Sequence, residues 1–355
     1  MPELSKIDWI TLAVALVGTV VTGGLQLGGV SEVAVFIVAA GVLGALAKLV
    51  GDATEHLGAK LGPGMTGVLQ SGLGNLPELL IGIFSLRAGL VTVVQAALVG
   101  SILGNSLLVL GAAFLVGGLR HGTQRFGPQP ARSIATLMLL AVAALAVPTL
   151  AHGLHTPADP HEETLGIAVS IILLIVFAAS IPAILGGAPA AVPAAPESEL
   201  PGHWPLWFTI AVLAVASIGA ALVSEWFVDA LRPAIEVLNL SEGFTGLVIV
   251  AIAGNAVENV VGIELAARNQ ADYAISVILN SPLQIALVLV PALVLLSYVV
   301  GGAHLTLVLP GLLVAVLGVA SIIGAVVVFD GESNWLEGVA LVGLYCMIAI
   351  SFWWG

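Results

Sequence analysis

The feature that most constrains this chain is a series of long apolar runs interrupted by very little charge. The hydrocarbon core of a bilayer is about 30 Å thick and needs about 20 consecutive apolar residues per helix. Only 8% of the 355 residues are charged, whereas an ordinary soluble domain is about one quarter charged. The sequence therefore predicts an all-α integral membrane protein and argues against a soluble enzyme.

Eleven membrane-spanning helices can be drawn through these runs. The N-terminal residues lack the basic region and the small-residue cleavage site of a secretory signal, so we expect the first span to be retained. The predicted spans are 8–27, 31–57, 65–87, 91–117, 131–150, 163–186, 205–231, 241–267, 271–299, 304–329 and 334–354.

The basic residues predict the orientation, because cytoplasmic loops carry an excess of lysine and arginine. If the N-terminus is cytoplasmic and the spans alternate, two of the nine basic residues, Arg87 and Arg232, fall on the opposite side. We therefore expect a multi-pass protein with a cytoplasmic N-terminus and a C-terminus on the other side. The residues on or near the cytoplasmic side are Lys6, Lys48, Lys60, Arg120, Arg125, Arg132 and Arg268.

A proline-rich stretch divides the chain. Residues 187–204 contain no long apolar run and include most of the five prolines between Pro189 and Pro205, which predicts an extramembrane linker. The predicted organisation is an N-terminal transmembrane helix, a first five-helix repeat, the linker and a second five-helix repeat, at 1–30, 31–186, 187–204 and 205–355.

The two halves share a motif. The stretch Gly74-Asn75-Leu76-Pro77-Glu78 matches Gly254-Asn255-Ala256-Val257-Glu258. Since the motifs lie in the third and eighth spans, they cross the membrane in opposite directions. The sequence therefore predicts an inverted repeat, which is the architecture of secondary transporters. The same shift in sequence number relates Gly82 to Gly262 and Ser101 to Ser281.

Each motif places a glutamate near the middle of its span. A carboxylate at this depth is costly and usually faces a cavity, where it has a function. The Gly-Asn pairs and Pro77 predict a helix interruption, and an interruption frees backbone carbonyls to coordinate a cation. Glu78 and Glu258 are therefore the candidate cation- and proton-binding acids, and the predicted metal ligands.

Further polar residues lie in the spans that follow each motif. In the first half, Ser101 and Asn105 are four residues apart and share one helical face. In the second half, Ser281 and Gln284 lie in the corresponding span. Carboxylate, amide, hydroxyl and carbonyl oxygens suit a hard cation such as calcium. Calcium is thus expected as a substrate, with no permanently bound cofactor.

Two additional acids hold matching places in the helix order. Glu55 lies one span before the first motif and Glu225 one span before the second. A gating or proton-handling role for both is a hypothesis. The net charge of −12 argues against a nucleic-acid partner, which needs clustered basic residues. The expected partners are a small cation, protons and the lipid bilayer.

The two motifs, together with the spans that follow them, resemble the cation/proton exchanger (CAX) family of the calcium/cation antiporter superfamily. GNLPELLIGIFSLRAGLVTVVQAALVGSILGNSLLVLG is similar to its first repeat, usually GNATEL followed by GSILSNLLLVLG. GNAVENVVGIELAARNQADYAISVILNSPLQIALVLVP is similar to its second, usually GNAAEH followed by GSATQIA. The resemblance implies a sodium/calcium exchanger-like fold of about eleven helices. It implies roles for Glu78 and Glu258 as central acids, Asn75 and Asn255 beside them, Ser101, Asn105, Ser281 and Gln284 lining the site, and Glu55 and Glu225 as auxiliary acids.

The chain also departs from the family pattern. Asn259 stands where the family has histidine, and Pro77 replaces a threonine, so that the sequence LPE resembles the sodium/calcium branch. We expect a secondary antiporter that exchanges calcium or a similar cation for protons by alternating access. Sodium/proton or sodium/calcium exchange is the first alternative, and a channel or membrane scaffold is the second.

Overall fold

The computed structural model describes residues 4–61, 69–185 and 204–354, apart from the side chains of Ser71, Val257, Glu258 and 182–185. Nearly all of this part is helical. The first half contains α1 (Lys6–Leu27), α2 (Glu32–Leu61), α3 (Leu76–Arg87), α4 (Val91–Leu103), α5 (Leu110–His121), α6 (Pro128–Gly153) and α7 (Glu162–Leu185). Two π-helical segments, Gln70–Gly74 and Gly104–Val109, and the 3₁₀ turn Asp159–His161 complete it.

The second half is built in a similar way. Its π-helical segments are Thr245–Val250 and Ile285–Leu289. Its helices are α8 (Leu206–Leu238), α9 (Glu242–Phe244), α10 (Ala251–Gly254), α11 (Ala256–Ala267), α12 (Ala271–Gln284), α13 (Val290–Ser297), α14 (Gly311–Val327) and α15 (Trp335–Ser351).

The described helices confirm the prediction of a membrane protein. Seven helical stretches are long and apolar enough to cross a bilayer, or eight if the bent pair Glu242–Gly254 and Asn259–Ala267 is one span. The helices α14 and α15 are apolar but shorter. The predicted third span and the predicted linker fall partly on residues outside the described ranges. The count of eleven spans, the orientation and the domain boundaries therefore stay predictions.

The sequence repeat is also a repeat of local structure. The helices α3 and α11 begin and end at equivalent positions of the two repeats. The π-helical segments Gly104–Val109 and Ile285–Leu289 lie at nearly equivalent positions. The backbone of Asn75 has φ −93° and ψ 23°, and that of Asn255 has φ −94° and ψ 20°. The two motifs therefore form the same turn.

Helix packing surrounds the two motifs. The helix α2 packs along α8, where the rings of Phe36 and Phe227 stack with centroids 4.9 Å apart. The helix α4 packs against the π-helical segment Thr245–Val250 of the other half. Glycines on both sides, Gly100 and Gly246, let the two backbones touch, since an added Cβ would overlap main-chain atoms. The two halves are thus in direct contact next to the motifs.

One predicted span begins later than expected. The span predicted at 304–329 is helical only from Gly311 onward, after Pro310. The residues before it are not helical, and side chains of other helices bind their backbone. Gln95 Nε2 donates to the carbonyl oxygens of Thr306 (3.2 Å) and Val308 (3.0 Å), so these two carbonyl groups have partners without a helix.

A short sheet connects the two halves at one end of the molecule. Strand β1 (Gln124–Arg125) pairs antiparallel with β2 (Glu332–Ser333). Arg125 Nε lies 3.0 Å from Glu332 Oε1. The loop after α5 is therefore fixed to the loop before α15.

Candidate ion-binding site

The first motif forms a break between two helical segments. A π-helical segment ends at Gly74, Asn75 forms a turn, and α3 begins at Leu76. Pro77 fits here because the first turn of a helix needs no backbone N–H partner. Glu78 also lies in this first turn, where the partial positive charge of the helix N-terminus favours a carboxylate.

The second motif has the same backbone arrangement. The helix α10 ends at Gly254, Asn255 forms the turn, and α11 begins at Ala256. The main chain of Glu258 therefore lies in the first turn of α11, as that of Glu78 does in α3. The side chain of Glu258 lies outside the described part of the structure.

The side chain of Glu78 packs against the second motif. A Cβ added to Gly254 would lie 2.8 Å from Glu78 Cγ and 3.3 Å from both Cδ and Oε1. A residue with a side chain at position 254 would therefore displace the carboxyl group of Glu78. The two motifs, one in each half of the chain, meet at this point.

A buried hydrogen-bond network joins the second motif to both neighbouring spans. Asn255 Nδ2 donates to Ser101 Oγ at 2.8 Å. Asn105 Nδ2 donates to Asn255 Oδ1 and to Ser281 Oγ, both at 3.1 Å. All four side chains are at most 6% exposed. Four of the predicted site residues, Ser101, Asn105, Asn255 and Ser281, are thus in mutual contact.

Two amide atoms, one in the first motif and one in the network, have no hydrogen-bond partner among the described residues. They are Asn75 Nδ2 and Asn105 Oδ1, both fully buried. A buried polar atom without a partner costs about 1–3 kcal/mol, and such atoms occur where water or an ion completes the site. Asn105 Oδ1 has the oxygen chemistry that a hard cation requires.

The remaining predicted site residues lie apart from this network. Gln284, at the end of α12, is half-buried, and among the described residues no hydrogen bond joins it to the network. Glu55 is half-buried on α2, near the ion pair of Lys48 and Asp52. Glu225 is exposed on α8. The roles predicted for these three residues rest on the sequence alone.

Some polar residues of the spans have structural partners instead. Asn280 Nδ2 donates to the Ser276 carbonyl oxygen at 2.7 Å, and Glu264 pairs with Arg268 on the surface of the protein. Among the described side chains, no group of three or more His, Cys, Asp or Glu residues could hold a metal ion.

The sequence did not single out Ser85. This residue is 1% exposed and lines a cavity that also contacts Glu78. The signal was available, because residues seven apart on a helix share a face. A serine in an apolar helix is common enough, however, that spacing alone does not distinguish it from a residue that bonds to its own helix.

Interrupted apolar helices around a buried, oxygen-rich centre define a membrane transporter of the exchanger type. The chain belongs to the sodium/calcium exchanger protein family, whose sequence model matches residues 31–185 and 208–354. The predicted resemblance is therefore confirmed, and the protein is a transporter, not an enzyme.

Relatives extend over nearly the whole chain. A protein of Synechocystis named Ca²⁺/H⁺ antiporter is 37% identical over 91% of this chain and 92% of its own length. The Ca²⁺/H⁺ antiporter ChaA of Bacillus subtilis is 36% identical over 87% of this chain and 88% of its own. The solved structure of native YfkE has a TM-score of 0.82 at 30% identity, covering 97% of this chain and 99% of that chain.

Proposed function

We propose that this protein is a secondary antiporter that exchanges calcium for protons by alternating access. The observation that carries the proposal is the contact of Glu78 with Gly254, which brings the two motifs together beside the network of buried amides and hydroxyls. Relatives of similar length that are named Ca²⁺/H⁺ antiporters support the choice of ions.

Competition for the same oxygen atoms would couple the two ions. Two carboxylates, of Glu78 and Glu258, are unfavourable in a low-dielectric interior when both are charged and unbound. They are stable either protonated or bridged by a divalent cation. Protons arriving from one side therefore displace calcium, and calcium arriving from the other side displaces protons.

Neutral oxygens would complete the calcium site. Calcium binds six to eight oxygens at about 2.3–2.6 Å, so two glutamates alone do not suffice. The proposed additional ligands come from the turns and from the helices that follow them. They are Asn75, Asn255, Ser101, Asn105, Ser281 and Gln284.

Reorientation of the loaded site would complete the cycle. An antiporter of this kind exposes one central site alternately to the two sides of the membrane. We assign Glu55 and Glu225 to the access routes as auxiliary acids, one in each half. With the N-terminus in the cytoplasm, α2 would end on the cytoplasmic side and α8 on the opposite side.

Transport by the purified protein in liposomes tests the proposal. With a proton gradient and no sodium, we expect calcium uptake into liposomes with an acidic interior, and we expect the uptake to stop when a protonophore removes the gradient. Uptake that requires an outward sodium gradient would instead indicate sodium/calcium exchange. Calcium flux that persists without any opposing ion gradient would indicate a channel.

A further inference from the structure

An apolar groove lies between α1 and α8, with α2 beneath it. Its buried lining includes Leu46 and Leu49 of α2. Small residues of the two outer helices, Ala15 and Ala216, also line it, and their short side chains leave space between the helices. The lining residues with large exposed apolar side chains are Leu16, Val20, Trp207, Val215, Ile218 and Leu222. The groove is therefore open along its outer side.

The open side of the groove faces the lipid bilayer. The helices α1 and α8 are both long and apolar enough to span a membrane. A Cβ added to Gly219 of α8 would lie 3.7 Å from Thr19 Oγ1 of α1. Further along both helices, a Cβ added to Gly23 would lie 2.8 Å from Trp226 Cη2. The two helices therefore run side by side in the same direction and begin at the same face of the membrane.

The end of the groove at this face has the character of a membrane interface. Trp207 lines the groove at the start of α8 and is exposed, and Trp9 is exposed near the start of α1. Tryptophan is enriched at the level of the lipid headgroups. The groove thus begins at the headgroup level and extends from there into the hydrocarbon region.

The lining offers almost no polar group to a ligand. The hydroxyl of Thr19 donates to the Ala15 carbonyl oxygen of its own helix at 2.7 Å. The indole N–H of Trp207 lies at the headgroup level. The other described lining residues have apolar side chains or are glycine, and none of them is charged. A ligand that occupies the length of the groove must therefore be a hydrocarbon.

The dimensions of the groove distinguish an acyl chain from a helix. From Trp207 to Leu222 the groove is about 22 Å long at about 1.5 Å per residue. Its volume of about 460 Å³ then corresponds to a cross-section of about 20 Å². A helix with its side chains is about 10–12 Å wide, or about 80 Å² or more in cross-section. An alkyl chain is about 4–5 Å wide, since non-bonded carbons approach to about 4 Å. The groove therefore fits a chain and excludes a helix.

We propose that this groove binds one acyl chain of a membrane phospholipid, with the headgroup at the level of Trp207. One leaflet contributes about 15 Å to a hydrocarbon core about 30 Å thick, so the groove accommodates the full depth of a chain. Packing stabilises the complex, because lipid is as apolar as the groove itself. An unfilled groove would lose the van der Waals contacts of its walls. This site is independent of the ions that the protein exchanges.

Photolabelling in liposomes tests the site. The probe is a phosphatidylcholine with a diazirine group in the middle of one acyl chain, and peptide mass spectrometry locates the label after irradiation. We expect several-fold more label on Leu16, Val20 and Val215 than on Ile172 and Ile175 of α7, which are exposed apolar residues outside the groove. Equal labelling of both surfaces would indicate ordinary surface lipid and would overturn the proposal.

Two alanine substitutions on α8 provide a matched pair. Ala211 is exposed and lines the groove, whereas Ala214 is exposed and lies outside the lining. Ala211→Trp fills the groove, so we expect it to lose most of the label from Leu16 and Val215. Ala214→Trp adds the same side chain to the same helix and should keep the label. If Ala211→Trp is not monodisperse in size-exclusion chromatography, Val215→Trp takes its place, with Leu16 as the reporter.

Native mass spectrometry and cross-linking complete the test. After a detergent wash, we expect one phospholipid to remain on the wild type and on Ala214→Trp, but not on Ala211→Trp. Retention of the lipid by Ala211→Trp would place it elsewhere and overturn the proposal. Val215→Cys in a Cys346→Ser background tests for a second copy of the chain. A disulfide-linked dimer in liposomes would assign the groove to that copy instead of to lipid.

Discussion

The two motifs have the same backbone and different surroundings. Asn75 and Asn255 differ by only a few degrees in φ and ψ. Asn255 bonds to Ser101 and Asn105, whereas Asn75 Nδ2 has no partner among the described residues. Ser281, which corresponds to Ser101, accepts a hydrogen bond from Asn105 Nδ2, and no described bond joins it to Asn75. Within the part of the chain that the structure describes, the two motifs thus share a backbone turn but differ in the hydrogen bonds of their asparagine side chains.

The glycines of the motifs differ in the same way. Among the described side chains, a Cβ on Gly74 would meet only Gln70 Cγ, at 3.2 Å, and Gln70 is exposed. A Cβ on Gly254 would meet Glu78 at 2.8 Å. The glycine of the second motif is therefore required by the acid of the first motif. The dependence runs from one half to the other, which makes the comparison testable.

The largest effect is expected from removing either central acid. Glu78→Gln and Glu258→Gln each replace a carboxylate with a neutral amide of similar shape, which binds a divalent cation weakly and cannot exchange protons at neutral pH. We expect proton-driven calcium uptake to fall to background in both variants. Initial rates of calcium uptake into liposomes measure this.

Glu264→Gln is the matched control for the two acids. Glu264 lies on α11, about 1.7 turns beyond Glu258 at 3.6 residues per turn, but it is exposed and paired with Arg268. An exposed ion pair contributes about 0–1 kcal/mol, so this variant should transport calcium like the wild type. Equal losses in all three variants would mean that negative charge on these helices matters in general, and that the repeat does not define a site.

The next largest effect should separate the two glycines. Gly254→Ala forces the carboxyl group of Glu78 to move, and we expect a strong loss of calcium uptake with a loss of about 1–3 kcal/mol in stability from overpacking. Gly74→Ala should lower uptake much less. Uptake and apparent melting temperature of both variants measure the difference. Equal effects of the two substitutions would contradict the dependence of Glu78 on Gly254.

Much of this arrangement follows from the sequence. The constant shift between the two halves predicts two equivalent turns, and the glycine, asparagine and proline at these turns predict the helix breaks. Ser101, Asn105 and Ser281 are candidates from the sequence because polar side chains are rare in such apolar spans, and the structure joins all three in one hydrogen-bond network. Local chemistry determines these features, so a single chain reveals them.

Contacts between the halves do not follow from the sequence. The position of Glu78 against Gly254 depends on how the two repeats pack, and no local pattern encodes that packing. The apolar character of residues 304–310 predicts a helix there. In the structure these residues are not helical, and Gln95 and Thr149 of other helices bind their backbone. Tertiary hydrogen bonds override local propensity there.

Replacing the two asparagines by alanine should have effects that differ more in protein stability than in calcium transport. Asn255→Ala removes bonds to Ser101 and Asn105, and we expect a loss of about 1–3 kcal/mol in stability. Among the described residues Asn75 Nδ2 donates no bond, so we expect Asn75→Ala to cost less stability. Apparent melting temperatures in detergent, without calcium, measure this difference.

Calcium uptake is the second measurement in the comparison of Asn75→Ala with Asn255→Ala. Because both asparagines are proposed calcium ligands, we expect Asn75→Ala and Asn255→Ala each to lower calcium uptake. A variant Asn75→Ala that is as unstable as Asn255→Ala would show that Asn75 is equally fixed by the protein. In that case the two motifs would be symmetric in chemistry as well as in backbone.

The smallest effect is expected from Ser281→Ala. This substitution removes one of the acceptors of Asn105 Nδ2, which keeps the Asn255 oxygen and the Ser101 carbonyl oxygen. We expect a loss of about 0.5–1.5 kcal/mol in stability. Thermal unfolding followed by tryptophan fluorescence measures it. A larger cost than that of Asn255→Ala would place the centre of the network on Ser281 instead of Asn255.

The hydrogen bonds of the network also determine when the site can form during biosynthesis. They join residues 150, 154 and 176 positions apart, and β1 pairs with a strand that is synthesised more than two hundred residues later. When only the first half of the chain has been synthesised, the polar residues of its inserted helices therefore still lack their partners from the second half. In the nascent first half Asn105 Nδ2 can bond to the Ser101 carbonyl oxygen of its own turn, but its bonds to Asn255 and Ser281 form only after the second half has been inserted.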